Sequence, residues 1–239
     1  MLKAITFDCW NTLIYLNDPA ATFEHRAERV RQAISRQGLD LPVEGLSREL
    51  REIWEQTLRQ QIELGVDHPP IDQVLQLVAR YKLKGDPASI QDLYRAYTEA
   101  VLEDPPRLMP GAAEVLQQLS RKFKLGLICN TGSTPGAVLR KILQQYQLAN
   151  FLREKLFSNE LGIAKPNPEI FRLALEKMGV KAEEALHVGD DPVTDILGAH
   201  QVGMKTIWLN CRRSGLKPPF DWQVSSLLEI PALLLEVEK

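Results

Sequence analysis

Short apolar segments alternate with helical patterns along the chain from about residue 109 to residue 209. The predicted strands are 123–129, 156–158, 185–188 and 204–209, and the predicted helices are 112–119, 135–147, 168–178 and 194–202. An apolar run over residues 2–7, which contains β-branched Ile5 and Thr6, predicts a further buried strand at the N-terminus. Strands that alternate with helices are joined by right-handed crossovers. The sequence therefore predicts an α/β fold with a Rossmann-like, mainly parallel sheet.

Residues 17–103 differ from the rest, because they show helical periodicity and no convincing strand. The predicted helices are 21–37, 46–64, 71–81 and 89–102, with Ser47 and Ser89 as candidate N-caps and Gly38 and Gly65 as helix ends. A helical block inserted after one strand indicates a separate module. We therefore expect residues 1–16 and 104–239 to form the α/β core and residues 17–103 to form an all-helical domain. A short C-terminal helix is expected over 224–237, interrupted by Pro231.

The composition is that of an ordinary globular protein, with 44% hydrophobic residues, 25% charged residues and a formal net charge of -2. This near-neutral balance predicts no nucleic-acid partner and no membrane-surface partner. No apolar stretch approaches the roughly 20 residues that span a bilayer, and the N-terminal run is too short for a secretory signal. The three cysteines, Cys9, Cys129 and Cys211, are expected to be reduced thiols in a cytoplasmic protein. The sequence carries no signal for an oligomeric state.

Polar residues follow the predicted strands where each one ends. Asp8 follows the first strand, residues 129–132 follow the second, Lys165 follows the third after a short loop, and Asp190 follows the fourth with Asp195 behind it. The carboxyl ends of parallel strands meet at one edge of a sheet, which is where ligands bind in open α/β folds. We therefore expect several carboxylates and one lysine to meet in one crevice.

That set of side chains suits phosphoryl transfer to an aspartate. Clustered carboxylates repel one another and need a cation, and Asp8 and Asp190 are hard oxygen ligands of the kind that Mg²⁺ prefers. A carboxylate can also act as a covalent nucleophile, and Lys165 would neutralise it. Residues 130–133 could hold the oxygen atoms of a phosphoryl group at the start of a helix.

Four segments of the chain resemble the motifs of the haloacid dehalogenase superfamily of hydrolases. Residues 8–13 (DCWNTL) resemble D-x-D-G-T-L, residues 127–130 (LICN) resemble motif two, residues 162–168 (GIAKPNP) resemble G-x-x-K-P-x-P, and residues 189–195 (GDDPVTD) resemble G-D-x-x-x-x-D. They follow one another in the family's order and cover the whole αβ part. The resemblance implies that residues 17–103 are a helical cap that closes over the active site and selects the substrate.

The resemblance also implies a role for individual residues. Asp8 would be the nucleophile and a metal ligand, and the backbone carbonyl of Trp10 and the carboxylate of Asp190 would complete the protein ligands of Mg²⁺. Lys165 would orient Asp8 and balance charge, while Asp195 would pair with Lys165 or support the metal shell. The implied activity is Mg²⁺-dependent hydrolysis of a small phosphate monoester through an aspartyl-phosphate on Asp8.

The chain departs from the family's phosphatases at two positions. Trp10 stands where they carry a second Asp that protonates the leaving alkoxide, a form of help worth ~10²–10⁴ in rate. Cys129 stands where motif two has Ser or Thr, and a thiol is a poorer hydrogen-bond donor, so Thr131 is an alternative donor. We therefore take Trp10, Cys129, Asn130 and Thr131 as the candidate substrate-binding residues. The candidates to replace the missing acid are Asp67, His68 and Glu160.

Trp10 also leaves two other functions open. The superfamily's haloacid dehalogenases have an aromatic residue there, because halide leaves as an anion and needs no proton. Those enzymes use no metal, lack the Gly-Asp that opens motif four, and share an arginine soon after motif one. This chain keeps Gly189-Asp190, and its first arginine after motif one is Arg26. We therefore rank a phosphatase above a 2-haloacid dehalogenase acting through an aspartyl ester. A ligand-binding or interaction protein with little turnover is the third possibility.

Overall fold

A six-stranded parallel sheet is the centre of the fold, in a computed structural model that describes residues 1–211 and 215–237. The strands are β1 (Ala4–Phe7), β2 (Ile14–Tyr15), β3 (Arg107–Leu108), β4 (Lys124–Cys129), β5 (Leu152–Phe157), β6 (Ala185–Gly189), β7 (Lys205–Leu209) and β8 (Trp222–Val224). The sheet has the order β5-β4-β1-β6-β7-β8, and every neighbouring pair in it is parallel. The predicted α/β fold with a parallel sheet is confirmed.

Helices cover both faces of this sheet and form a further layer. They are α1 (Pro19–Ser35), α2 (Val43–Leu64), α3 (Pro70–Tyr81), α4 (Pro87–Thr98), α5 (Ala112–Leu119), α6 (Gly136–Gln145), α7 (Ser158–Leu161), α8 (Pro168–Met178), α9 (Gly198–Gln201) and α10 (Ile230–Val237). The predicted caps Ser47 and Ser89 are wrong. Helix α2 starts four residues before Ser47, and in α4 the carboxylate of Asp86 accepts the Ser89 N–H at 3.0 Å, because Pro87 already occupies the first turn.

The sheet lies between two hydrophobic clusters, and helices α1–α4 enclose a third. Ile5 and Phe7 point into the cluster that also holds residues of α5, α6 and α10, whereas Ala4 belongs to the cluster of α8 and α9. Residues such as Leu50 and Leu77 build the separate cluster among α1–α4. Because successive strand residues face opposite sides, β1 is buried along its whole length, as expected for a central parallel strand.

The two chain segments that join α1–α4 to the sheet are hydrogen-bonded to each other. Strands β2 and β3 pair antiparallel, with Ile14 opposite Leu108. The sequence analysis missed this ribbon, because each strand has only two residues and neither shows a periodic pattern.

The C-terminal part shows three further differences from the sequence prediction. Strand β8 lies at the start of the predicted 224–237 helix and adds an edge to the sheet. Pro231 does not interrupt α10, because it is the second residue of that helix, where no intrahelical N–H bond is needed. The predicted helix 194–202 begins instead as a π-helix over Pro192–Leu197 and continues as α9. Residues 212–214 and 238–239 of the predicted core lie outside the described residues. Within the described residues, no helix is both long enough and apolar enough to cross a bilayer.

Candidate active site

The chemistry-bearing residues predicted from the sequence meet at the carboxyl edge of the sheet. Asp8 follows β1, Asn130 follows β4 and Asp190 follows β6, while Lys165 lies in the loop between α7 and α8. Asp8, Lys165 and Asp195 are all buried, with 6%, 1% and 1% of their surfaces exposed. The parallel strand order is the reason for this meeting, since β1 lies between β4 and β6 and all three strands end at the same edge.

Lys165 bridges two buried carboxylates. Its Nζ lies 2.6 Å from Asp8 Oδ1 and 2.5 Å from Asp195 Oδ1. Burial opposes the charge on Lys165, but the charges of Asp195 and Asp8 outweigh it and raise the pKa of the lysine above its usual range. Burial also disfavours ionised Asp195, yet Lys165 holds the pKa of that carboxyl below its usual range. Lys165 and Asp195 therefore form a permanent ion pair that fixes the position of Asp8.

Three carboxylates form a cluster suited to a divalent cation. Asp8, Asp190 and Asp195 each offer an oxygen within 4.8 Å of the others. Within the described residues, no hydrogen-bond donor reaches the Asp190 carboxylate or the carbonyl oxygen of Trp10. The carboxylate and the carbonyl group are therefore both available as metal ligands. Three negative charges face the single positive charge of Lys165, so a cation of charge two would balance the site.

The electrostatics of the cluster agree with this fit. Burial raises the pKa of Asp8 from 3.8 to about 7. The positive charge of Lys165 opposes this rise, and the negative charge of Asp195 adds to it. Burial and the neighbouring charge of Asp8 raise the pKa of Asp190 to about 8. Without a cation the two groups hold their protons well above their usual range, and a cation would displace those protons on binding.

The raised pKa values predict that Mg²⁺ stabilises the protein more as pH rises. In the metal-free protein, folded Asp8 and Asp190 keep protons that the unfolded chain has already released. The free energy of unfolding should therefore fall as pH rises from about 4 to the raised pKa values, which are about 7 for Asp8 and about 8 for Asp190. Ionised carboxylates bind Mg²⁺, so the gain in melting temperature on adding Mg²⁺ should be larger near pH 8 than near pH 5. Thermal melts of the wild type and of Asp190→Asn measure this. Asp190→Asn should lose the pH-dependent gain in melting temperature. An equal gain at both pH values in the wild type would contradict the assignment of the acidic cluster as a Mg²⁺ site.

Asp195 is held by several donors at once. Its Oδ1 accepts from Lys165 and lies 3.3 Å from His187 Nε2, and its Oδ2 accepts the backbone N–H of Asp191 at 3.0 Å. A Cβ on Gly189 would lie 2.3 Å from the Asp195 carboxyl carbon, so only glycine fits there. Because these donors hold both oxygens of Asp195 in place, we infer that Asp195 positions Lys165.

His187 extends this network through the sheet, a role that the sequence did not reveal. It lies beside Thr6 in the register of β6 and β1, and the Thr6 hydroxyl lies 2.8 Å from His187 Nδ1. Burial lowers the pKa of His187, so the ring is neutral, and because ionised Asp195 can only accept, Nε2 carries the proton. The pairing of β1 with β6 is the signal that could have found this contact.

Asn130 is placed against Lys165. Its side-chain amide donates to the Lys165 carbonyl at 2.8 Å, and its Oδ1 accepts the Lys165 N–H at 2.8 Å. This two-point link fixes the backbone that carries the lysine. The neighbouring Cys129 is fully buried, and burial raises the pKa of its thiol, so it is a neutral group that donates to the Asn130 carbonyl.

Thr131 is joined to the loop between α2 and α3. Its Oγ1 lies 3.0 Å from Asp67 Oδ2 and 3.2 Å from Ser158 Oγ, and Ser158 donates to the same Asp67 oxygen at 2.5 Å. Val66 pairs with Ile163 beside this contact. The Thr131 hydroxyl is thus engaged by Asp67, one of the candidates to replace the missing acid. The other two candidates differ, because His68 is exposed and Glu160 pairs with Arg140.

Trp10 lies in a tight turn directly after Asp8. The N–H groups of Leu13 and Ile14 both bond to the Cys9 carbonyl, and Asn11 adopts a left-handed conformation with φ 57°. The indole of Trp10 is half-buried against the core of the sheet. The position has no ionisable group, as the sequence indicated.

Comparison with known proteins gives four consistent similarities. The model of the haloacid dehalogenase-like hydrolase family matches residues 2–203. A protein of Methanopyrus kandleri named glyceraldehyde 3-phosphate phosphatase is 33% identical over 215 residues, which cover 87% of this chain and 83% of that protein. A 2-haloacid dehalogenase from Pseudomonas syringae pv. Tomato DC3000 superposes with a TM-score of 0.72 at 25% identity, covering 99% of this chain and 100% of that one. A phosphatase from Thermococcus onnurineus shares the fold with a TM-score of 0.69 at 20% identity, covering 98% of each chain.

Proposed function

Since this chain belongs to the haloacid dehalogenase-like hydrolases and is a hydrolase, we propose that it is a Mg²⁺-dependent phosphatase acting on a small phosphate monoester. The observation that carries the proposal is the Asp8 carboxylate, held 2.6 Å from Lys165 within an acidic cluster that suits a divalent cation. The name of the Methanopyrus kandleri relative supports a phosphatase over other hydrolases. A small-molecule substrate and a cytoplasmic location are parts of the same proposal.

In this proposal the reaction has two displacement steps at Asp8. A carboxylate oxygen of Asp8 attacks phosphorus, the bond from phosphorus to the ester oxygen breaks, and the alkoxide leaves and takes a proton from solvent. Water then attacks phosphorus in the aspartyl-phosphate, which releases inorganic phosphate and restores Asp8. Lys165 keeps Asp8 in place and offsets negative charge in both steps. Mg²⁺, held by Asp8, Asp190 and the Trp10 carbonyl, would supply the positive charge that phosphoryl oxygens need.

Residues 17–103 are part of the proposal as a cap over this site. Three observations support it: α1–α4 bury their own hydrophobic cluster, β2 and β3 pair where the two segments cross, and the α2–α3 loop bonds to Thr131 and Ser158. Gly65 permits this close approach, because a Cβ there would lie 2.7 Å from the Asn167 Cβ and its φ is +65°.

The absence of an acid at Trp10 predicts a strong dependence on the leaving group. Without a proton donor, alkoxides should leave slowly, so aryl and acyl phosphates should react faster than alkyl phosphates by about 10²-fold or more. The dependence of kcat/KM on leaving-group pKa measures this. Trp10→Asp should flatten the dependence, with Trp10→Phe as the control that leaves it steep. Equal rates on alkyl and aryl phosphates in the wild type would contradict the prediction.

A second candidate, 2-haloacid dehalogenation, is favoured by one observation, the aromatic residue at Trp10. The Pseudomonas syringae structure named as a 2-haloacid dehalogenase keeps this candidate open. In that reaction Asp8 would displace halide from carbon, and no proton would be needed by the leaving group.

A panel of phosphate esters and 2-haloacids, assayed with Mg²⁺ and with chelator, decides between the candidates. The phosphatase proposal expects phosphate release that stops on chelation. Phosphate release that persists in chelator would refute the metal assignment, and halide release without metal would establish the dehalogenase. Release of neither product, with ligand binding unchanged in Asp8→Asn, would favour a binding protein.

A further inference from the structure

Arg26 of α1 is a buried cation whose hydrogen-bond acceptors are both uncharged. Only 4% of its surface is exposed. Its Nε donates to the Tyr97 carbonyl at 2.9 Å, and its Nη2 donates to the Thr134 hydroxyl at 3.3 Å. Its guanidinium carbon lies 5.6 Å from the ring centre of Phe23 and 5.7 Å from that of Tyr97. These contacts hold the guanidinium in one place and leave its charge without a counter-ion.

No carboxylate of the described residues lies within ion-pair distance of Arg26. Lys165, the buried cation at the edge of the sheet, has two carboxylate partners, and Arg29, one turn further along α1, pairs with Glu103. Burial lowers the pKa of Arg26, but an arginine remains protonated in a protein. An unpaired buried charge is costly unless an anion meets it, so the molecule favours an anion beside Arg26.

Thr134 places this cation next to the active site. It belongs to the segment that leaves β4 at Cys129 and leads into α6, and it follows Asn130, the residue that brackets Lys165, by four positions. Four residues of chain span at most about 14 Å, which sets an upper limit on the distance from Asn130 to Thr134. Residues of α2 cover the same segment: Gln61 donates to the Thr131 carbonyl, and the Trp54 Nε1 would lie 3.2 Å from a Cβ on Gly132.

We propose that Arg26, together with Thr134, binds a second anionic group of the substrate, a carboxylate or a second phosphate, at the end away from the transferred phosphoryl group. The guanidinium suits either group, because its planar fork binds two oxygens at once, and two of its five N–H groups account for the contacts with Tyr97 and Thr134. This inference rests on the proposed phosphatase function and narrows its substrate class to small phosphate monoesters that carry another oxyanion.

The test compares matched esters that differ in one charged group. The pairs are phosphoglycolate with ethylene glycol phosphate, 3-phosphoglycerate with glycerol 3-phosphate, and 4-phosphoerythronate with erythritol 4-phosphate, and 2,3-bisphosphoglycerate is the second-phosphate arm. In the wild type with Mg²⁺, we expect kcat/KM to be at least about tenfold higher for the anionic member of one pair or for the bisphosphate. Arg26→Met should remove this preference and change the neutral ester much less.

Two further variants separate binding from folding. Arg26→Lys keeps a buried charge without the fork, so it should fold and should lower the preference several-fold. Arg29→Met, on the same helix, should leave the preference unchanged. A wild type without any preference, a preference that persists in both Arg26 variants, or an equal loss for both members of a pair would overturn the proposal, since an equal loss is the result of a purely structural role.

Calorimetry of the same probes with Asp8→Asn and Mg²⁺ separates this proposal from the phosphatase proposal. If the wild type hydrolyses no phosphate ester, the proposed function fails, but tighter binding of anionic esters that disappears with Arg26→Met still supports the anion site. Equal binding of charged and neutral esters in Asp8→Asn rejects the anion site even where phosphate release is observed.

Discussion

Replacing Asp8 by asparagine is expected to abolish phosphate release, with kcat lowered by about 10⁴-fold or more. An amide cannot attack phosphorus, so the aspartyl-phosphate does not form. Asparagine keeps the size of the side chain, and its oxygen can still accept from Lys165, which the wild type binds at 2.6 Å. The fold should therefore survive the change. Steady-state phosphate release, together with mass spectrometry of the acid-quenched protein for one added phosphoryl group, measures the outcome.

Asp191→Asn is the matched control for this variant. The Asp191 carboxylate accepts the N–H groups of Val193 and Thr194 at the start of the π-helix and lies close to the site without bonding to Lys165. Asparagine keeps an oxygen that accepts these two N–H groups, so the change should cost less than about 1 kcal/mol of stability and change kcat only a few-fold. Rapid turnover by Asp8→Asn, or a phosphoryl group found on another residue, would remove Asp8 from the role of nucleophile.

Replacing Lys165 by methionine is expected to give the largest loss of stability, about 3–5 kcal/mol near neutral pH. The change leaves Asp8 and Asp195 buried without the cation that lies 2.6 Å and 2.5 Å from them. Without Lys165 the pKa of both carboxyls should rise, so the folded protein should hold protons that the unfolded chain releases. The loss should therefore be greater near pH 8 than near pH 5, because unpaired carboxylates can take up protons in acid. Urea denaturation at the two pH values measures it.

A double-mutant cycle with Asp195→Asn tests the cause of that loss. If the ion pair is responsible, the double variant should be less destabilised than the sum of the two single variants. Lys155→Met is the control, since the Lys155 ammonium bonds to the Leu152 carbonyl and should cost about 1 kcal/mol. Additive losses in the cycle would show that the effect comes from side-chain packing.

The fold and the meeting of Asp8, Lys165, Asp190 and Asp195 could be predicted from the sequence. Alternating strands and helices imply a parallel sheet, and in such a sheet residues that follow the strands must share one edge. Apart from α7 and α10, the helices were predicted to within a few residues for the same local reason, since periodicity and terminal residues act over one or two turns. The roles assigned to these residues stay predictions until the variants above are made.

Other contacts could not be predicted, because they join residues far apart in the chain. The departure from motif one at Trp10 was visible in the sequence, but nothing in the sequence indicated that Thr6, His187 and Asp195 form one network. The short strands β2 and β3 are stabilised by each other and carry no pattern of their own. Asp67 was named as a candidate acid, and only its bonds to Thr131 and Ser158 show what it contacts.

By itself the sequence determined the parallel sheet, its helical insertion and the set of groups at the carboxyl edge, because periodicity and the alternation of strands with helices depend on residues that are near one another in the chain. The tertiary structure alone decided which of those groups neutralise one another. Lys165 lies between Asp8 and Asp195, whereas Arg26 is buried without a carboxylate among the described residues. The spacing of residues in the sequence does not indicate that difference, because the partners of a buried charge depend on how distant segments pack.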